Sequence, residues 1–306
     1  MGGEVAIRTE GLTKDYGESR GLFDLNLEVA AGETFGYLGP NGAGKTTTIR
    51  LLMDMIRPSG GWALVFDTDC QKRPVEVKRL IGYLPAEMPQ WGGLRGREVV
   101  AYVGGLRGGI DSSRISNLTN RLDLDLGRRY REYSSGNKRK LGLLLAFMHR
   151  SRLLVLDEPT NGLDPLIQQE FNGMVAEATA DGATVLISSH VLSEVERVCT
   201  RVAILKGGRL VRVASIADIH QLRFRRLEVD FVGAVPLEKV RSLVGVDQVV
   251  VEGHHLTCTV HGDFGPLLQL LGRSEVVNLT THEPNLEEIF LPYFRDLAQQ
   301  TPGSSS

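Results

Sequence analysis

The sequence predicts an α/β fold, a mostly parallel sheet covered by helices with a helical subdomain inserted, followed by a small α+β domain. Three observations predict it. Up to residue 214, short apolar runs alternate with helical stretches, and several runs are apolar at every position, as in strands buried on both faces. Residues 87–150 break that rhythm and read as helix upon helix. After Ser215 the order becomes strand-helix-strand-strand-helix-strand, the split βαβ of a ferredoxin-like domain. The expected organisation is a first domain over 1–214, with its helical subdomain at about 87–150, and an accessory domain over 215–300. A Gly/Ser/Pro tail over 301–306 is expected to be flexible.

Val5-Ala6-Ile7 reads as a short strand, and Leu25, Leu27 and Val29 alternate with polar neighbours over a second. Ala31-Gly32-Glu33 turns the chain into a third strand, Thr34–Leu38, which ends at a glycine-rich loop before a helix over Thr46–Met55. Further strands are expected at Ala63–Phe66, Leu153–Leu156, Thr184–Ile187 and Val202–Leu205. The inserted helices are Arg97–Leu106, Ser112–Leu122 and Ser135–His149. In the second domain, Leu227, Val229 and Phe231 mark a strand, and Pro236–Val244 a helix with proline near its first position. Gln248–Glu252 and Leu256–Val260 form a hairpin across Gly253-His254-His255. Asp263–Leu271 is helical, Val276–Thr281 a strand, and Asn285–Gln299 the closing helix.

Composition narrows the class. The chain has 306 residues, 42% hydrophobic and 24% charged, which excludes a disordered, collagenous or disulfide-scaffold protein. The net charge of −2 gives no field that favours nucleic acid or an anionic membrane. Cys70, Cys199 and Cys258 are odd in number, far apart and without a CxxC pair, which fits a reducing compartment and argues against zinc. The N-terminus lacks a basic-then-apolar signal pattern. The densest apolar stretch, Leu141–Met148, is far short of a membrane helix, so a cytoplasmic protein without its own membrane span is expected.

Two motifs carry chemistry. Gly39-Pro40-Asn41-Gly42-Ala43-Gly44-Lys45-Thr46 fits the P-loop pattern, between an apolar strand and a helix. Glycines let backbone N–H groups converge on phosphate oxygens, and the following helix N-terminus adds partial positive charge. Lys45 would reach the β/γ-phosphates, the Thr46 hydroxyl would take Mg²⁺, and Thr47 completes the ATP-binding set. Leu153-Leu154-Val155-Leu156 ends in Asp157 and Glu158 about 110 residues later, at the strand end where α/β ligands bind. Asp157 suits the Mg²⁺ shell, and Glu158 can polarise an attacking water. The basic clusters Arg128-Arg129-Tyr130-Arg131 and Lys138-Arg139-Lys140 read as solvated faces, not as a nucleic-acid site.

Beyond these, Tyr133-Ser134-Ser135-Gly136-Asn137-Lys138 resembles the signature of ABC-transporter ATPases, Asn161-Gly162-Leu163-Asp164 their D-loop, and Ser188-Ser189-His190 their switch histidine. The resemblance covers roughly residues 4–213, a P-loop NTPase core, and extends to Pro284-Asn285-Leu286-Glu287-Glu288-Ile289-Phe290 in the appendage, which resembles that of multidrug-export ATPases. It implies that Tyr16 stacks on adenine and that His190 contacts the γ-phosphate. It implies that Ser134, Ser135, Gly136 and Asn137 serve the nucleotide of the opposite subunit, so that two composite sites form in a head-to-tail homodimer or heterodimer. Ala86 stands where the Q-loop glutamine is usual, and Ser135 and Asn137 depart from the signature's Gly and Gln; with Glu158 and His190 present the site reads as hydrolytically competent. The expected function is an ATP-binding and hydrolysing subunit that uses MgATP to drive a separate transmembrane permease of an exporter. It would lie peripherally at the inner face of the membrane through that partner. The rival is an ABC-type ATPase acting on ribosomes or DNA, disfavoured by the single P-loop and the lack of sustained heptads.

Overall fold

The carboxyl ends of three strands meet at one edge of a parallel sheet, and that edge carries the site. The computed structural model describes residues 3–221 and 224–282. The chain divides into two compact units, up to Ala214 and from Ser215. In the first, the strands in chain order are β1 (Val5–Asp15), β2 (Gly21–Ala30), β3 (Thr34–Leu38), β4 (Gly60–Val65), β5 (Thr68–Asp69), β6 (Ile81–Leu84), β7 (Leu153–Asp157), β8 (Thr184–Ser189), β9 (Arg201–Lys206) and β10 (Arg209–Ser215).

Six of them form a sheet in the order β10-β9-β3-β8-β7-β6. All pairings from β9 to β6 are parallel. Every residue of β3, β7 and β8 is buried, which is why these strands read as continuous apolar runs rather than alternating ones. The register sets Leu38 beside Ser189, and Asp157 beside Ser188. The helix Lys45–Leu52 packs Ile49, Leu51 and Leu52 into a core shared with Phe35, Tyr37, Val155 and Leu186. Each such aliphatic side chain contributes about 1.5–3 kcal/mol when fully buried. The Tyr37 hydroxyl in this core is satisfied, since it hydrogen-bonds with the Thr48 hydroxyl at 2.9 Å. Burial pushes the Tyr37 phenol well above its ordinary pKa.

A second, antiparallel sheet, β2-β1-β4-β5, was not foreseen. Only five residues separate β1 from β2, a connection too short for a parallel crossover. Register shifts around Thr9–Lys14, with Gly11 at φ 55°, break the alternation that would have marked β1 at its full length. The edge strand β6 was also missed, because its four residues follow directly on the helix Pro74–Leu80. The inserted region carries helices at Gly96–Gly105, Ser112–Arg121 and Ser135–Phe147, within two residues of the expected spans. Asp111 caps the second of these, accepting from the backbone N–H groups of Ser113 and Arg114.

The second unit holds a helix Ile216–Gln221 and the strands β11 (Phe224–Phe231), β12 (Val246–Glu252), β13 (His255–His261) and β14 (Val276–His282), in the order β12-β13-β11-β14. Every neighbour is antiparallel, the arrangement of a split βαβ. Leu227, Val229, Leu256, Cys258 and Val260 pack with Val240 of the helix Leu237–Arg241 and with Leu267 and Leu271 of the helix Gly265–Leu271. Glu252 pairs with His255, so the hairpin turns on Gly253-His254 and His255 belongs to the strand, not the turn. The helix expected at Asn285–Gln299 and the tail 301–306 lie outside the described residues. All three cysteines are buried and free. Among the described residues no helix is long and apolar enough to cross a membrane.

Candidate active site

From the end of β3 the chain winds through Gly39–Gly44 into the helix Lys45–Leu52. Gly42 (φ 80°) and Gly44 (φ 103°) hold left-handed backbone that a side chain would strain, which explains their residue type. The Lys45 ammonium, 6% exposed, donates to the carbonyls of Gly39 (2.6 Å) and Pro40 (3.3 Å) and lies 3.3 Å from Glu158 Oε1. Asp157, fully buried at the end of β7, accepts from the Thr46 hydroxyl on Oδ2 (2.9 Å) and from the Ser188 hydroxyl on Oδ1. A hydroxyl and a carboxylate are hard oxygen donors of the kind that hold Mg²⁺ beside substrate phosphates, so these residues fit that ion.

Glu158 contacts Lys45, Ser188 and His190, which come from three separate segments. Its backbone is left-handed (φ 50°), a state that costs on the order of 1–3 kcal/mol and persists only where the surroundings hold it. Its N–H donates to the carbonyl (3.1 Å) and hydroxyl (3.2 Å) oxygens of Ser188. Its carboxylate lies between two groups: Oε1 faces Lys45, and Oε2 is 2.8 Å from His190 Nδ1.

These groups open into a cavity of about 590 Å³, within the range of nucleotide-sized pockets. Asn41, Gly42, Ala43, Gly44, Lys45, Thr46 and Thr47 line it, with Glu158 and His190 beyond them and Tyr16 at the rim. Gly39, Pro40 and Asp157 are not on its surface; they hold Lys45 and Thr46 from behind. Tyr16 is 49% exposed, with the Lys14 ammonium 5.6 Å from its ring centroid. Ala86 and Glu87 both face the cavity, so the segment that lacks the usual glutamine still reaches the site.

The signature residues do not line this cavity. Ser134 caps the helix Ser135–Phe147, accepting from the Asn137 N–H at 3.2 Å. Gly136 lies against the D-loop of its own chain: a Cβ there would stand 2.9 Å from the Gly162 carbonyl. Asp164 caps the helix Pro165–Ala180, accepting from Leu166 and Ile167 at 3.1 Å each.

Sequence reasoning missed Arg139 and misread its cluster. Arg139 and Lys140 are 4% and 8% exposed, not solvated. The Arg139 guanidinium donates to the carbonyls of Pro85 (2.6 Å), Ala86 (3.1 Å), Asp157 (2.5 Å), Glu158 and Pro159 (3.3 Å). Burying a cation costs several kcal/mol unless its donors are satisfied, and these carbonyl dipoles satisfy it. Burial holds its pKa down to about 10, still far above neutrality. The signal was present: Arg139, Leu143 and Phe147 recur every four residues, and all are buried. The partners of Asp157 and Glu158 on Ser188 were also unforeseen, because strand register is not visible in a single strand's sequence.

A phosphate-binding loop, an acidic strand end and a histidine around one nucleotide-sized cavity define a P-loop ATP-binding cassette. The family profile described as ABC transporter matches residues 22–161. The bacitracin transport ATP-binding protein BcrA of Enterococcus faecalis is 34% identical, over 74% of this chain and 75% of that protein. BcrA of Bacillus licheniformis is 31% identical, over 93% of this chain and 96% of that protein. A solved structure of an ATP-binding subunit of an ABC transporter superposes with a TM-score of 0.65 at 27% identity, over 70% of this chain and 92% of that one. The chain belongs to the ABC transporter family, among its ATP-binding subunits.

Proposed function

We propose that the chain binds MgATP, hydrolyses it, and through ATP-driven dimerisation powers a separate transmembrane exporter. The observation that carries the reading is the placement of the Glu158 carboxylate between Lys45 and His190 at the wall of the cavity. Phosphate oxygens would take Lys45 from its carbonyl and carboxylate partners. Glu158, released, would polarise a water for attack on the γ-phosphate, and His190 has the reach to touch the same phosphate. Tyr16 at the rim would stack on the base. Thr46 and Asp157 would hold Mg²⁺, which neutralises charge on the phosphates when bound.

The signature residues lie outside the cavity of their own chain, which supports a role toward a second copy or a similar chain. Relatives named for bacitracin transport, and a probable multidrug ABC transporter ATP-binding protein of Escherichia coli at 32% identity over 71% of this chain and 38% of that protein, support the exporter reading. Membrane contact would then run only through the permease, with the chain at the inner face of the membrane and no nucleic acid involved. Affinity purification from detergent-solubilised cells tests this. Recovery of a multi-span membrane protein with ATPase activity is expected; co-sedimentation with ribosomes and no membrane partner would contradict it.

A further inference from the structure

Arg139 stands in the signature helix, yet its guanidinium hydrogen bonds go to backbone carbonyls of two other segments. Pro85 and Ala86 belong to the stretch after β6 that reaches the cavity. Asp157, Glu158 and Pro159 belong to the stretch after β7. Two of these carbonyls flank the Glu158 Cα. The preceding peptide plane is held at its oxygen by Arg139 and at its N–H by Ser188, and the following plane is held at its oxygen by Arg139. Fixing both planes fixes the Cα–Cβ direction from which the side chain reaches in, and the contacts to Lys45 and His190 hold the carboxylate between them.

We infer that Arg139 is a positioning residue that aims Glu158, and that it couples this aim to the 85–86 segment and to the signature helix. The inference rests on the reading of Glu158 as the group that polarises water. The chemistry requires arginine. Its planar fork spreads five N–H donors over three nitrogens, enough to hold five carbonyls on two segments, whereas a lysine's three donors sit on one nitrogen and cannot keep all five contacts. A displacement of the signature helix or of the 85–86 segment would therefore tilt the Glu158 peptide planes and turn its carboxylate away from the water position. The signature, which does not line its own chain's cavity, thereby gains a mechanical path to the carboxylate of Glu158.

The test uses the full chain with Arg139→Lys, Arg139→Gln, Glu158→Gln and the double variant Arg139→Lys/Glu158→Gln. For each, steady-state ATP hydrolysis, equilibrium binding of a fluorescent ATP analogue and thermal unfolding are measured. Arg139→Lys and Arg139→Gln should lower kcat by ~10-fold or more, the scale of a misplaced reacting group, while nucleotide affinity stays within about twofold. In the Glu158→Gln background, Arg139→Lys should cost nothing further, because residues acting as one unit do not add. An unchanged kcat in Arg139→Lys, or an equal further loss in the double variant, would overturn the inference. So would the loss of a cooperative unfolding transition in both single Arg139 variants, since Arg139 would then hold the fold rather than aim a carboxylate. Failure of the underlying reading shows separately: Glu158→Gln alone would then hydrolyse ATP at the parent rate.

Discussion

The Lys45 ammonium lies 3.3 Å from a carboxylate oxygen of Glu158, so the cation proposed to bind phosphate and the base proposed to polarise water form one ion pair. Both partners are largely buried, with side-chain exposures of 6% and 11%. A phosphate entering the loop competes with Glu158 for Lys45. Glu158→Gln removes that competitor and the charge that polarises water, while keeping the shape. ATP affinity should be retained or increased, and hydrolysis should fall by ~10²-fold or more, the range of general-base catalysis. Isothermal titration and a phosphate-release assay measure the two effects. Hydrolysis at the parent rate would show that Glu158 is misassigned.

A truncated chain of residues 1–214 should fold and bind ATP alone. The boundary between the two compact units falls at Ala214, and each has its own apolar core. Urea unfolding of the full chain should then show two transitions. An insoluble truncation, or one that cannot bind nucleotide, would show that the second unit completes the first.

Asp164 has a local role that its D-loop position alone does not suggest. Its carboxylate caps the helix Pro165–Ala180 through two backbone N–H groups. Asp164→Ala should cost about 0.5–2 kcal/mol of stability, and Asp164→Asn much less, because asparagine caps nearly as well. Denaturant midpoints compare them. If Asp164→Ala leaves the midpoint unchanged, the cap contributes nothing.

In the second unit, His255 Nδ1 lies 2.6 Å from Asp230. The hydrogen bond that His255 donates to Asp230 raises the His255 pKa, helped by Glu228 and Glu252, and the same bond lowers that of Asp230. The histidine's contribution is complete below its ordinary pKa of 6.5 and is lost as pH rises through its raised folded value. The aspartate's contribution is complete above its ordinary 3.8 and is lost as pH falls through its depressed one. The pair therefore stabilises fully between those two ordinary values. Proton NMR titration should show a raised His255 pKa that falls toward the ordinary value in Asp230→Asn. An unchanged His255 titration in that variant would contradict the pairing.

Much of the fold was legible because burial writes itself into sequence. Buried on both faces, β3, β7 and β8 became apolar runs, and β11 kept its alternation at Leu227, Val229 and Phe231. The antiparallel sheet was not legible, since bulges erased the period of β1 and pairing depends on chain segments far apart. At the site, motif spacing pointed to Lys45, Thr46, Asp157 and Glu158, and the structure brings Thr46 to Asp157 and Lys45 to Glu158. Their orientation depends on Ser188 and Arg139, whose contacts arise only when separate elements pack. A charge run that is usually solvated hid Arg139, whose side chain is turned inward.

If the signature of one chain serves the nucleotide of another, a substitution at Gly136 should block assembly and spare nucleotide binding. A Cβ at this position would already stand 2.9 Å from the Gly162 carbonyl, so the signature and D-loop of one chain are closely fitted, and an added carboxylate would also repel an incoming triphosphate. Light scattering with MgATP compares Glu158→Gln with Glu158→Gln/Gly136→Asp, alongside nucleotide binding by each monomer. The expected result is a doubling of mass for Glu158→Gln, none for the double variant, and equal ATP affinity in both monomers. Loss of nucleotide binding by the Gly136→Asp monomer, or undiminished dimerisation, would mean that the signature does not serve the nucleotide of a second chain.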